Sequence, residues 1–324
     1  MKNKKKIILL FLVVLTMIVS VACGNNMEEK TEETTNLETE NIEESNFPIT
    51  IKHELGETIL ESKPEKVIVF DYGVLDAMDK IGEDIIGLPK KTVPDYLDKY
   101  KDDKYVDVGT LQEPNFEKIY ELNPDLIIIA ARQAKLYEEF VEIAPTVYIS
   151  IDGANYLNSF KDNMKILGEI FQKEDIVQKE IENIEGKIQN INKKAKEVGK
   201  NGLFLMANDG NLSVFGEGSR FGVLYKEFGI VPADENIESS THGQKISFEY
   251  IVEKNPDFLY VMDRAAITGG EISAKQILNN DLIKSTKAYK EDNIIYLDSP
   301  IWYVAAGGIT ATEKMIEDVL KSLE

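Results

Sequence analysis

Phe116 to Arg132, FEKIYELNPDLIIIAAR, and Phe248 to Arg264, FEYIVEKNPDFLYVMDR, are one segment written twice. The copies lie 132 positions apart and align without a gap. Phe116/Phe248, Glu117/Glu249, Ile119/Ile251, Glu121/Glu253, Asn123/Asn255, Pro124/Pro256, Asp125/Asp257 and Arg132/Arg264 coincide. Chance matches roughly one position in a window of this length, so an internal repeat explains the identity. Each copy reads as a short helix, an Asn-Pro-Asp break that stops it, and a β-rich apolar run ending at an arginine. A run of roughly four to eight such residues suits a strand buried on both faces of a parallel sheet. An arginine just past the carboxyl end of that strand stands where open α/β sheets take their ligands. The repeat therefore predicts two similar α/β lobes, each aiming one arginine at a shared cleft.

Outside the repeat, strands and helices alternate. Ile49–His53 and Glu57–Leu60 flank Gly56 as a hairpin, with His53 expected as a surface strand residue. Strands are expected at Val67–Phe70, Asp84–Gly87, Tyr105–Val108 and Pro145–Ile149, with helices at Gly73–Ile81 and Gln133–Ile143. These make an N-terminal lobe over 47–155. Leu157, Phe160, Met164, Leu167 and Ile170 recur at helical spacing, so 156–172 is expected as one helix linking the lobes. Glu174–Val198 continues as an amphipathic helix with Ile176, Ile181, Ile184, Ile188 and Ile191 on its apolar side. The C-terminal lobe, 173–324, adds strands at Gly202–Ala207 and Leu212–Phe215 around an Asn208–Asn211 turn. A Gly-rich loop, Gly216–Gly222, then opens a helix. A helical stretch near Ala274–Leu278, a strand at Ile294–Leu297 and a helix from about Thr310 follow.

The N-terminus carries different information. Lys2 and Lys4–Lys6 precede an apolar run from Ile7 to Ala22, short for a bilayer span and suited to a signal peptide. Ser20-Val21-Ala22-Cys23-Gly24 resembles a bacterial lipoprotein box, with Ser20 in place of the usual Leu. Residues 1–23 are thus expected as a lipoprotein signal peptide ending at a lipidated Cys23, and acyl chains there form a membrane anchor. Residues 24–46, rich in Glu, Thr and Asn, cannot bury enough surface to fold and read as an acidic tether. A long tether with a lipid anchor suggests a Gram-positive cell surface.

Composition excludes several functions. The formal charge is −20, and loss of the signal lysines takes it to −24, which argues against nucleic acid as a partner. One cysteine excludes an intrachain disulfide and a cysteine-rich metal site, and two histidines make a multi-histidine zinc site improbable. No nucleophile–base pair or phosphate loop is evident, so an enzyme is not expected. Of 37 basic residues only Arg132, Arg220 and Arg264 are arginine, so lysine is the surface cation and each arginine is placed for a reason. Alone, any one could pair with a local acid or cap a helix. Three together, with Arg220 at a helix start, supply forked donors for a polyanionic ligand. His242, in a polar Gly-bearing loop, and Tyr303, after the last strand, have side chains that can complete a ferric coordination sphere. A loop histidine and a packing tyrosine fit the same positions. Trp302 is a candidate cleft wall. Glu117 and Glu249 stand second in their helices, which suits the helix dipole and needs no partner.

The lipoprotein start, Val108-Gly109-Thr110-Leu111-Gln112-Glu113-Pro114-Asn115-Phe116-Glu117-Lys118-Ile119, the Asn-Pro-Asp breaks, Gly218-Ser219-Arg220-Phe221-Gly222, His242-Gly243 and Trp302-Tyr303 together resemble the siderophore receptors of iron ABC importers, of the class III periplasmic-binding type. Catecholate receptors, including those for petrobactin, are the nearest in pattern. The resemblance covers nearly the whole chain after residue 47. It implies two Rossmann-like lobes joined by a single long helix with little hinge motion, no intrinsic cofactor, a monomer, and a ferric siderophore as ligand. By position it implies that Arg132, Arg220 and Arg264 hold the anionic ferric catecholate. His242 and Tyr303 would bind iron when the siderophore leaves sites open, and Glu117 and Glu249 would dock the permease dimer. Haem or cobalamin capture on the same fold, and a chelatase-like enzyme, are the alternatives.

Overall fold

The computed structural model describes residues 46–324. The lipoprotein signal, Cys23 and all but the last residue of the 24–46 tether therefore lie outside the described residues. Among the described residues no helix is long and apolar enough to cross a membrane.

An antiparallel hairpin, β1 (Ile49–His53) and β2 (Gly56–Leu60), precedes the first sheet. That sheet contains β3 (Val67–Val69), β4 (Gly87–Leu88), β5 (Val106–Asp107), β6 (Leu126–Ile129) and β7 (Thr146–Tyr148). They run parallel in the order β5-β4-β3-β6-β7. Helices α1 (Tyr72–Ile81), α2 (Phe116–Leu122) and α3 (Tyr137–Val141) fill three of the connections. Strand order reverses between β3 and β6, and ligands of open α/β sheets bind outside the carboxyl ends at such a point. Asp71 follows β3 there, and Arg132 follows β6.

Two helices separate the sheets in sequence, α4 (Tyr156–Phe171) and α5 (Glu174–Val198). The second sheet holds β8 (Asn201–Asn208), β9 (Asn211–Phe215), β10 (Val231–Pro232), β11 (Gln244–Ile246), β12 (Phe258–Asp263) and β13 (Ile294–Tyr296). Its order is β11-β9-β8-β12-β13, with β10 on β8; β8, β10, β12 and β13 pair in parallel, β9 and β11 antiparallel. The helices of this half are α6 (Val223–Lys226), α7 (Phe248–Lys254), α8 (Ala265–Thr268), α9 (Ala274–Ile277), α10 (Asp281–Ser285), α11 (Lys287–Lys290), α12 (Ser299–Val304) and α13 (Ile309–Leu320).

The repeat has one physical cause in both halves. α2 and α7 end on Asn123 and Asn255, whose left-handed φ of 46° and 42° asparagine tolerates. Proline then forbids further helix. The aspartate after it reaches the start of the neighbouring strand. Asp125 Oδ2 accepts from the N–H groups of Glu65 (3.1 Å) and Lys66 (2.9 Å), just before β3, and Asp257 Oδ2 accepts from Asn201 N–H (2.9 Å) at the head of β8. Each carboxylate thus sets the register of its strand pair. Removing either by Asp125→Ala or Asp257→Ala is expected to cost about 1–3 kcal/mol in urea unfolding. The double variant should add the two losses, because the sites share no partner. Two losses within a few tenths of a kcal/mol of zero would contradict this role.

Four expectations need correction. The strand expected at Asp84–Gly87 is Gly87–Leu88, because Asp84 is drawn into side-chain bonds with Ile85 N–H and the Tyr105 hydroxyl. The helix expected over Gln133–Ile143 is broken into a 3-10 turn at Ala134–Leu136 and α3. Gln133 is buried and its amide is engaged with Ala130 N–H and Leu111 O, which takes it out of the helix. On α5, Ile176 faces solvent and Val177 takes its place in the core, so the buried row is Val177, Ile181, Ile184, Ile188, Ile191 and Ala195. His53, which reads as a surface residue, is half-buried against the Tyr137 ring and bonded to Thr58 Oγ1.

Candidate functional site

The three arginines of the chain meet at one residue. Arg132 comes from the turn after β6, Arg264 directly follows β12, and Arg220 lies in the turn between β9 and α6. All three reach Tyr303 on α12. Arg132 Nη2 donates to the Tyr303 backbone oxygen at 2.9 Å, and Arg220 Nη2 donates to the same oxygen at 3.1 Å. Arg264 Nε donates to the Tyr303 hydroxyl at 2.9 Å. The guanidinium carbons stand 5.8, 4.7 and 5.7 Å from the Tyr303 ring centre for Arg132, Arg220 and Arg264.

Like charges this close repel, and the local structure offsets the repulsion. Tyr303 O belongs to the last turn of α12, where helix carbonyls lack intrahelical partners and carry the negative end of the dipole. The ring face attracts the cations as well. Each guanidinium has five N–H groups and uses one on Tyr303, leaving the rest for a ligand. Among the described residues none of the three forms an ion pair. In a chain with 57 acidic residues, three arginines without a salt-bridge partner are informative; the nearby Asp71 carboxylate is spent on capping α1.

The electrostatics follow from this geometry. Burial alone pushes the Tyr303 phenol up, but the Arg264 hydrogen bond and the fields of Arg264, Arg220 and Arg132 hold it below its ordinary value. The Arg220 guanidinium is lowered, first by lost hydration and then by repulsion from Arg132, although the side chain still touches solvent through the cleft mouth. Asp71 caps α1 by accepting from Gly73 and Val74 N–H (2.9 and 3.1 Å); burial raises its pKa and the Arg132 charge partly reverses this.

Two adjoining cavities of about 370 and 350 Å³ share Arg220, Thr241 and Tyr303. The first also carries Arg264, His242, Lys245 and Asn208; the second carries Asp71, Arg132 and Ser150. A larger depression, about 780 Å³, lies away from the arginines, and its charges already pair with one another through Lys99–Asp79 and Lys104–Asp84. Gly153 closes the cleft floor, where any Cβ would stand 2.1 Å from Arg220 O.

The structure brings together Arg132, Arg220, Arg264, Tyr303 and His242. His242 is exposed on the turn before β11, and Ser239 Oγ of the same loop bonds Gly218 O beside Arg220. Glu117 and Glu249 are exposed at the second position of α2 and α7, away from the cleft residues. Trp302 is wholly buried, meets Phe204 at a tilt and Phe228 edge-on, and donates Nε1–H to Asp318 Oδ2 at 3.1 Å. It borders the second cavity beside Tyr303, but with its side chain sealed in the core it meets that cavity from behind rather than as an exposed wall. The helix start expected at Arg220 comes later, at Val223, and α6 has four residues, so anion attraction there rests on the guanidinium itself. Asp71 escaped the sequence reading, although a polar residue directly after a buried strand and before a helix is the signal that marks it. Lys245 escaped too, its alternation hidden in a three-residue strand. No group of three or more His, Cys, Asp or Glu that could hold a metal ion occurs among the described residues.

Comparison with known proteins places the chain in a family. The profile of the family described as "Periplasmic binding protein" matches residues 67–301. The petrobactin-binding protein YclQ of Bacillus subtilis (strain 168) is 47% identical over 324 residues, covering 99% of each chain. The crystal structure of that protein superposes with a TM-score of 0.84 at 50% identity, over 85% of this chain and 98% of the other. The periplasmic catecholate-siderophore binding protein VctP of Vibrio cholerae superposes with a TM-score of 0.80 at 41% identity, over 84% and 99%.

Proposed function

This chain belongs to the periplasmic binding protein family, and on that premise we propose that its cleft captures a ferric siderophore of catecholate type for an ABC importer. The observation that carries the proposal is the convergence of Arg132, Arg220 and Arg264 on Tyr303 without an ion pair among the described residues. A ferric catecholate is multiply anionic and aromatic, so guanidiniums both neutralise it and stack on its rings. The acidic remainder of the chain repels such a ligand and the cleft alone attracts it. His242 and Tyr303 line the same cavity, which supports reading them as the groups that reach an iron with open coordination sites. Tyr303, whose phenol ionises more readily than usual beside three cations, is the better prepared of the two.

No bond-making step is required of the protein, and binding is expected to be stoichiometric. Two lobes, 47–155 and 173–324, flank the cleft in this reading, with α4 bridging them. Cys23 carries the lipid that holds the chain on the outer face of the membrane, and residues 24–46 act as its tether.

Equilibrium dialysis with iron-labelled complexes tests the ligand class. A tris-catecholate and a bis-catecholate should be retained at one iron per chain, and a neutral hydroxamate should pass. Retention of the hydroxamate alone would remove the assignment. A bis-catecholate preference that disappears in His242→Ala would identify direct iron ligation.

Glu117 and Glu249, exposed at matching places in the repeat, suit a two-fold partner with basic loops. Glu117→Lys with Glu249→Lys is expected to leave ligand affinity unchanged and to abolish cellular uptake of the ferric complex. Normal uptake by that variant would refute permease docking at these helices.

A further inference from the structure

The segment between Tyr303 and the final helix is fastened to the other half of the chain by a buried carboxylate. α13 begins at Ile309, and its N-cap Gly308 has no side chain with which to satisfy the first N–H groups. Asp76, more than 230 residues earlier on α1, supplies the missing acceptor. Its carboxylate accepts from Ala311 N–H at 2.7 Å and Thr310 N–H at 3.3 Å, and from the Tyr96 hydroxyl at 3.3 Å. It is 1% exposed, so these bonds have no water to compete with them. Gly308 is the residue that fits, because a Cβ there would stand 2.2 Å from Asp76 Oδ2. Two further contacts fasten the same stretch. The Tyr156 hydroxyl of α4 accepts from Gly307 N–H at 2.9 Å and bonds Thr312 Oγ1 at 2.7 Å, while Gly73 of α1 closes on Ala306 O.

Tyr303 lies five residues before Gly308, on the same short chain segment. We propose that Asp76 is a positioning residue for the ligand cleft: its ionised carboxylate anchors the start of α13, and neutralising it loosens the Tyr303 segment and weakens ligand capture. The carboxylate is the negative partner of the α13 dipole, and a neutral acid or amide holds the same N–H groups less strongly.

Two carboxyls of this cluster, Asp71 and Asp76, are raised by burial, and of the two the one that holds the start of α13 is Asp76. The groups facing it are Tyr96 from the 3-10 helix Asp95–Lys101, Tyr156 from α4, Asp71 at the head of α1, and Lys314 of α13, whose ammonium lies over the Tyr96 ring. Burial pushes Tyr156 up to about 12 and raises Tyr96 as well, so both stay neutral. Burial also pushes the Asp76 carboxyl up to about 6, with the Ala311, Thr310 and Tyr96 hydrogen bonds pulling it back. Because the folded chain binds this proton more tightly than the unfolded one, acidification from pH 7 to 5 adds stability through Asp76. A loss of cleft function over that range is therefore separable from unfolding.

The first test needs no ligand. Trp302 is the single tryptophan, sits beside Tyr303 and bonds Asp318 of α13, so its emission reports the segment. In the ligand-free chain, emission should change with a midpoint near pH 6. That change should be absent in Asp76→Asn. In Tyr96→Phe, which loses a hydrogen bond to the charged form, the midpoint should move to higher pH. The second test rests on the proposed ligand class and uses a ferric tris-catecholate. Affinity of the unaltered chain should exceed that of Asp76→Asn by about tenfold at pH 7.5 and by little at pH 5, a ratio in which titration of the ligand cancels. Equal midpoints in the unaltered and Tyr96→Phe chains, or an emission change that survives in Asp76→Asn, would overturn the proposal. So would an affinity ratio that stays constant with pH. Failure to bind any catecholate would count against the ligand class and leave the emission result to decide on Asp76. Should Asp76→Asn not fold, Tyr96→Phe alone decides.

Discussion

Replacing Arg132, Arg220 and Arg264 together by alanine is expected to weaken capture of a ferric tris-catecholate by at least about a thousandfold. Charge-assisted hydrogen bonds contribute roughly 1.5–3 kcal/mol each, and about 1.4 kcal/mol is a factor of ten in affinity. Three arginines sharing one ligand do not act independently, so the triple loss need not equal the sum of single losses. Single variants should lose about ten- to a hundredfold by the same arithmetic. Stability should hardly change. None of the three is in an ion pair among the described residues, and their mutual repulsion is relieved when they go. The Tyr303 carbonyl loses two donors but opens onto the cleft, where water can replace them. Affinity in the triple variant within a few-fold of the unaltered chain would defeat the arginine cleft.

The second large effect concerns stability. Trp302→Ala is expected to cost about 3–5 kcal/mol in denaturant unfolding, the range for deleting a large buried aromatic ring. The indole is wholly buried, lies 5.6 Å from the Phe204 ring and 6.3 Å from Phe228, and its N–H satisfies Asp318. Trp302→Phe should retain much of that packing and bind ligand within about threefold of the unaltered chain. This pair of variants separates a core residue from a cleft wall. If Trp302→Phe lost ligand affinity steeply while staying folded, the indole would have to be returned to the binding surface.

The contrast between Trp302 and Tyr303 shows what the sequence could and could not convey. Both are aromatic, adjacent and preceded by a strand, and residue type alone gives each a claim on the cleft. Their directions are set by α12, which buries one and presents the other, and that helix is too short to leave a periodic signature. The repeat was legible for the opposite reason. Its helix stop, its register-setting aspartate and its terminal arginine are local devices that each need one residue type. Asp76 was hidden because its partners, Thr310 and Ala311, are remote in the chain and contribute backbone N–H groups, which no sequence pattern displays. The break at Gln133 has the same origin, since the glutamine amide is claimed by Leu111 O from a different connection. Ile176 and Val177 differ only in which of two adjacent apolar residues begins the buried row, and the packing of α4 against α5 decides it.

The most direct measurement is the change in Trp302 and tyrosine emission as a ferric tris-catecholate is titrated into the protein, repeated at rising salt. Three guanidiniums converging on Tyr303 predict saturable quenching at one complex per chain, with affinity falling as salt screens the multiply charged ligand. Quenching that never saturates, or equal affinity for an uncharged hydroxamate complex with no response to salt, would contradict capture by the arginine cleft.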